Sequence, residues 1–172
     1  MSKHMIISEI IKTPVGNMLA AATTKGICLF EFMDVKERLS SQIAHLEKIY
    51  SYKVEPGTSL LLDQLKRELK EYFAGERQKF NVPLDYKGTE FQELSWNALL
   101  NIPYGETRSY QDQAIAIKKP KAVRAVAGAN HRNKLSILIP CHRVIGKNGA
   151  MTGYGGKIWR KEFLLNLESN TN

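Results

Sequence analysis

The sequence predicts an α+β protein of two lobes. The first, residues 1–87, is a small N-terminal α/β lobe with an antiparallel three-stranded sheet and helices. The second, residues 88–172, is mostly helical and carries a helix-turn-helix. Three observations predict this. Short apolar runs punctuated by turn residues fill residues 5–33, helical periodicity dominates after residue 90, and a stretch without periodicity separates them.

The runs "MIISEIIKT", "NMLAAATT" and "GICLFEF" read as three strands of a meander. Pro14-Val15-Gly16-Asn17 and Lys25-Gly26 supply the turns between them. Residues 35–49 read as a helix. A second helix lies in "EPGTSLLLDQLKRELKEYFAG", where Thr58 or Ser59 can cap the start. Leu61, Leu65 and Leu69 recur at a spacing of four along it, and Gly75 stops it. "KFNVPLDYKGT" reads as an extended linker and sets the lobe boundary near residue 87.

"EFQELSWNALLNI" puts Phe91, Leu94, Ala98 and Leu99 on one helical stripe and ends before Pro103. In "SYQDQAIAI", Ser109 and Asp112 have capping-box spacing. "PKAVRAVAGAN" starts a helix with Pro120 in its first turn. Two short helices around the break "KKPK" suggest a helix-turn-helix. "IWRKEFLLNLE" forms the last helix. "SILIPCHRVIG" reads as a buried apolar strand, Ile137 to Ile139, that delivers Cys141 beside His142 and Arg143.

The net charge is +8 and is unevenly spread. Residues 101–161 hold 12 Lys or Arg against two acids, a net +10, so the rest of the chain is slightly acidic. A basic block is either a solvated face or a lobe for a polyanion, most simply nucleic acid. The second helix of the motif bears on this choice. Val123, Val126 and Ala127 can face a core, leaving Lys121, Arg124 and Gly128 outward among Ala122, Ala125 and Ala129. Such a face can approach a groove closely but offers few side chains for base readout. Tight helix packing is the alternative use of small residues.

No apolar run approaches the roughly 20 residues that span a bilayer. The start, "MSKHMIISEI", lacks a signal peptide's features, so a cytoplasmic protein with reduced cysteines is expected. No metal is expected, since the chain has no paired-ligand motif, and His4 with Cys28 would need two more ligands. Cys28 lies inside an apolar run and reads as a small core hydrophobe. Cys141 reads either as a second core thiol or as a functional one activated by its polar neighbours.

"IPCHRVIG", preceded by "AVRAVAGANHRN" and followed by "TGYGG" and "RKEFLLNLE", resembles the O6-alkylguanine-DNA alkyltransferases, the methylated-DNA–protein-cysteine methyltransferases. "FQ", "IPYGET", "SYQ" and "PKAVRAV" occur in the family's order, and the specific resemblance runs from about Phe91 to Glu168. The N-terminal lobe resembles the family only in length and strand pattern. Where the helix-turn-helix turn of the family usually carries a glycine, this chain has Lys118.

The resemblance implies a DNA repair protein that extrudes O6-alkylguanine from the duplex and moves the alkyl group irreversibly onto Cys141. It implies that His142 takes the thiol proton through a water and that Glu168 orients His142. Tyr110 would protonate the departing guanine and crowd the phosphate behind it, and Asn133 would be a hinge between the DNA-binding helices and the active site. Arg124 would fill the stack in place of the extruded base, with Lys121, Ala122, Ala125 and Ala129 near the DNA. Tyr154, Gly155, Gly156 and Ser136 would shape the pocket. The implied partner is double-stranded DNA, entered from the minor groove with little sequence specificity, by a monomer that needs no cofactor. Three rival classes fit less well. A non-catalytic lesion sensor of this fold lacks the cysteine, a turning-over hydrolase does not explain the basic Ala-rich helix, and a sequence-specific repressor needs base-reading side chains.

Overall fold

The computed structural model describes residues 5–171, and the chain divides into two compact units, Met1–Lys87 and Gly88–Asn172. The first contains strands β1 (Met5–Thr13), β2 (Gly16–Ala22), β3 (Ile27–Phe32) and β4 (Lys53–Pro56). Helices α1 (Lys36–Tyr50) and α2 (Leu60–Phe73) complete it. The expected three-stranded antiparallel sheet is corrected here. The sheet has four strands in the order β3-β2-β1-β4, and β4 runs parallel to β1. The fourth strand, "KVEP", is short, mostly exposed and ends in proline, so it has no apolar alternation to reveal it. An edge is where a sheet tolerates proline, which cannot donate to a ladder.

All six residues of β3 are buried, although β3 lies at the other end of the strand order. Residues 82–85 cover its outer side. Ile27 N–H donates to Pro83 O at 2.9 Å, and Asp85 N–H donates to Ile27 O at 2.8 Å. The stretch expected to be a linker is therefore extended, but it is part of this unit. Gly26 has to be small there, because a Cβ would sit 2.6 Å from Pro83 O. Glu68, buried on α2, accepts N–H groups from Asn81 and Val82 and pins the same stretch. Ser59 caps α2 by accepting from Leu62 N–H. Cys28 is buried with Ile6, Ala21, Leu29, Leu39 and Leu46. His4 lies outside the described residues.

The second unit contains helices α3 (Glu90–Leu100), α4 (Tyr110–Ala116), α5 (Val123–His131) and α6 (Ile158–Asn170). Two-residue strands β5 (Arg108–Ser109) and β6 (Val144–Ile145) pair in parallel. Thr89 with Gln92 and Ser109 with Asp112 form capping boxes that start α3 and α4. The buried stripe of α3 is Ser95, Trp96 and Leu99, while Leu94 is exposed. Trp96 claims the inward face because its indole N–H donates to Ala129 O at 2.8 Å. Pro120 lies in the turn before α5 rather than in the helix. No helix among the described residues is long and apolar enough to cross a membrane.

Candidate active site and DNA-facing helix

The segment before Cys141 is not a strand; residues 136–138 form a turn. Ile139 N–H folds back to Leu135 O at 2.9 Å, and Ile137 has φ +73°. A β-branched residue rarely adopts that conformation. Burial of Ile137, Leu138 and Ile139 holds it, and it is stored strain four residues before Cys141. The expected strand is corrected for this reason: three successive apolar residues mark burial, not backbone direction.

Asn133 closes the turn. Its Oδ1 accepts Leu135 N–H at 2.9 Å, and its Nδ2 donates to Ile139 O at 3.0 Å. The same Nδ2 lies 3.4 Å from the Cys141 sulfur. Asn133 follows α5 by two residues, so one amide joins the end of that helix to Cys141. After Pro140, residues Cys141–Arg143 make a single 3₁₀ turn. Cys141 is half-buried and His142 is fully buried.

His142 Nε2 lies 2.8 Å from Glu168 Oε2. Arg143 donates to the same carboxylate, Nε to Oε1 at 2.8 Å and Nη2 to Oε2 at 3.0 Å. Its Nη1 donates to Ile102 O at 2.7 Å, and the Tyr104 ring lies 5.7 Å from the guanidinium carbon. Burial alone would raise the Glu168 pKa, but the bonds from His142 and Arg143 outweigh it and hold the carboxyl well below its ordinary range. Burial pushes the His142 pKa down, against the pull of Glu168. We take the imidazole as neutral and the carboxylate as ionised, because Arg143 already balances that charge. A neutral imidazole beside a carboxylate carries its proton on Nε2. Nδ1 is then a base, and it is buried without a protein hydrogen bond.

Tyr110, the first residue of α4, donates its hydroxyl to Thr152 O at 3.2 Å. Burial, and then the charge of Cys141, push its pKa up. Tyr154 and Gly156 are buried, Gly155 is half-buried, and Ser136 is buried within the turn.

In the helix-turn-helix, Gln113 and Asn130 exchange two hydrogen bonds at 2.9 and 2.7 Å, which locks α4 to α5. Arg124, Ala125, Gly128 and Lys121 are exposed, and Ala122 is half-buried. Ala129 corrects the expectation of an outward residue: it is 4% exposed and turned toward Trp96. Lys118 has φ +62°, and its N–H and that of Lys119 close the end of α4 on Ile115 O and Ala114 O. This is the left-handed helix terminus that glycine favours.

Sequence reasoning named Arg143 only as a neighbour and missed Lys161. Lys161 is 1% exposed on α6 and shares a stripe with Leu164 and Glu168, at spacings of three and four. A charged residue at an apolar position of that stripe was the available signal.

Known proteins resemble this chain along nearly its whole length. Residues 90–170 match the 6-O-methylguanine DNA methyltransferase DNA binding domain, and residues 6–86 match the ribonuclease-like domain of the same enzymes. A methylated-DNA–protein-cysteine methyltransferase of Mycobacterium bovis is 56% identical over 167 residues, covering 96% of this chain and 94% of that one. The constitutive enzyme of that name from Bacillus subtilis is 48% identical over 163 residues, covering 91% and 92%. A crystal structure of a Mycobacterium tuberculosis relative in complex with DNA superposes with a TM-score of 0.80 at 39% identity, covering 97% of this chain and 94% of that one. With both domains matched and relatives aligned along nearly its whole length, the chain belongs to the methylated-DNA–protein-cysteine methyltransferase family.

Proposed function

We propose that this chain repairs DNA by extruding O6-alkylguanine from the duplex and transferring its alkyl group irreversibly to Cys141. The observation that carries the reading is the buried, hydrogen-bonded set His142, Glu168 and Arg143, whose histidine directly follows the half-buried Cys141, with Asn133 Nδ2 3.4 Å from the sulfur. Nδ1 of neutral His142 takes the thiol proton through a water, and Glu168 holds the ring in the required tautomer. The thiolate forms a bond to the alkyl carbon as the bond from that carbon to O6 breaks. Tyr110 gives a proton to the leaving guanine, and the thiol proton makes good that loss, so charge and atoms balance. The thioether has no good leaving group, which makes the protein a single-use reagent.

A base inside the stack is out of reach of the thiol, so the nucleotide must leave it. Arg124 fills the gap. The small face of Ala125 and Gly128, with Lys121 and Ala122 at its edge, enters the minor groove, and the basic lobe binds phosphates with little regard for sequence. Tyr154, Gly155, Gly156 and Ser136 shape the pocket. The protein works as a cytoplasmic monomer, without a metal or other cofactor.

Titrating the protein with a duplex that carries one O6-methylguanine tests this. Consumption of substrate should stop at one equivalent. Continued turnover at fixed protein would refute the single-use reaction.

A further inference from the structure

A fully buried lysine is rare unless it is paired. Lys161 is 1% exposed, and no carboxylate among the described residues pairs with it. Its ammonium donates instead to two backbone carbonyls, Val144 O at 2.5 Å and Thr152 O at 2.9 Å. Val144 directly follows the Cys141–Arg143 turn. Thr152 opens the stretch that leads to Tyr154 and Gly156. The Tyr110 hydroxyl donates to the same Thr152 carbonyl, so both lone pairs of that oxygen have a donor. Gly153, at φ +72°, lies directly against this hydroxyl: a Cβ there would be 2.6 Å from the Tyr110 oxygen.

We propose that Lys161 is a positioning residue for alkyl transfer: it ties the 152–156 loop to the turn that carries the nucleophile and so holds the base pocket in shape. The proposal rests on the pocket reading given above and adds a residue to it. Burial lowers the Lys161 pKa, and the nearby Cys141 offsets only part of that. A group that shapes a pocket acts on substrate capture more than on the bond-making step. Lys161 therefore governs how well the alkylated base is held, and the thiol relay governs how fast it reacts.

The test is saturation kinetics of the full chain with O6-benzylguanine, a free base that needs no flipping. Lys161→Met cuts the tie, and Gly153→Ala lifts the loop from Tyr110 at an exposed position. Each should raise the half-saturating concentration about tenfold; the limiting rate should change by less than about threefold in Lys161→Met and fall further in Gly153→Ala, whose added Cβ displaces the Tyr110 hydroxyl. Iodoacetamide labelling of Cys141 in Gly153→Ala should keep the wild-type rate, which shows that the thiol relay is intact. An unchanged half-saturating concentration in either folded variant overturns the proposal, as does a fall in limiting rate alone. Should Lys161→Met fail to fold, Gly153→Ala decides by the same criterion. Failure of the wild-type protein to take the benzyl group onto Cys141 overturns the functional reading as well, so the two failures are distinguishable.

Discussion

Arg143 grips the Glu168 carboxylate with two hydrogen bonds, Nε to Oε1 at 2.8 Å and Nη2 to Oε2 at 3.0 Å, and both residues are buried. Removing one partner of such a pair leaves an uncompensated charge, which costs about 3–5 kcal/mol. Arg143→Met should lower stability by roughly 3 kcal/mol, read from urea unfolding at an unchanged m-value. A loss below about 1 kcal/mol would mean that the pair is replaceable by apolar packing.

The same cluster sets an acid limit. Both His142 and Glu168 have folded-state pKa values held below their unfolded ones. For a depressed pKa the unfolded chain binds the proton more readily, so the stability is present above the unfolded value and fades as pH falls. His142 contributes a loss that begins below about pH 6.5, and Glu168 adds one below about pH 4.5. His142→Gln should flatten the stability profile between about pH 7 and 5. An identical slope in wild type and variant would show that the imidazole is not buried neutral.

Glu168→Gln keeps the shape but weakens the orienting hydrogen bond on His142. Transfer should slow by about 100-fold, within the usual range for general base catalysis, while affinity for DNA barely changes. Stopped-flow transfer and binding curves on one preparation check this. Equal losses in both would make Glu168 a support of the fold alone.

Cys141 and His142 drew attention because a thiol and an imidazole are adjacent at the end of an apolar run, whereas the roles of Glu168, Tyr110 and Asn133 came only from the family resemblance. The backbone that presents them was not legible. "SILI" reads as a strand by composition, yet Ile137 turns into a conformation that propensity forbids and only tertiary packing enforces. The fold shows the same division. The long strands announced themselves by apolar runs, whereas β4 is four residues of mostly exposed chain whose existence depends on pairing with β1. Leu94 and Ala129 exchanged expected faces for one reason: the Trp96 indole needs an acceptor, and it finds the Ala129 carbonyl.

Lys118 is a lysine where the backbone favours glycine. A side chain in the left-handed region costs roughly 1–2 kcal/mol. Lys118→Gly should therefore stabilise the protein by about 1 kcal/mol, after allowing for the greater freedom of glycine in the unfolded chain. Thermal unfolding of the two proteins measures it. Destabilisation would mean that the lysine makes a compensating contact.

Arg124 separates finding a base from reacting with it. It is an exposed large side chain on a face of small residues, and its proposed task is to offset the few kcal/mol of unstacking. Arg124→Ala should react slowly with alkylated duplex but with free O6-benzylguanine at nearly the wild-type rate. Equal slowing of both substrates would assign Arg124 to the pocket or the fold.

The most direct measurement is a peptide map of the protein after one round with an oligonucleotide that carries O6-methylguanine. The chain has two cysteines, one in the core and one at the end of the strained turn. The account predicts one methyl group, on the peptide that contains Cys141, with Cys28 unmodified. A methyl group on Cys28, or an unmodified protein beside repaired DNA, would contradict it.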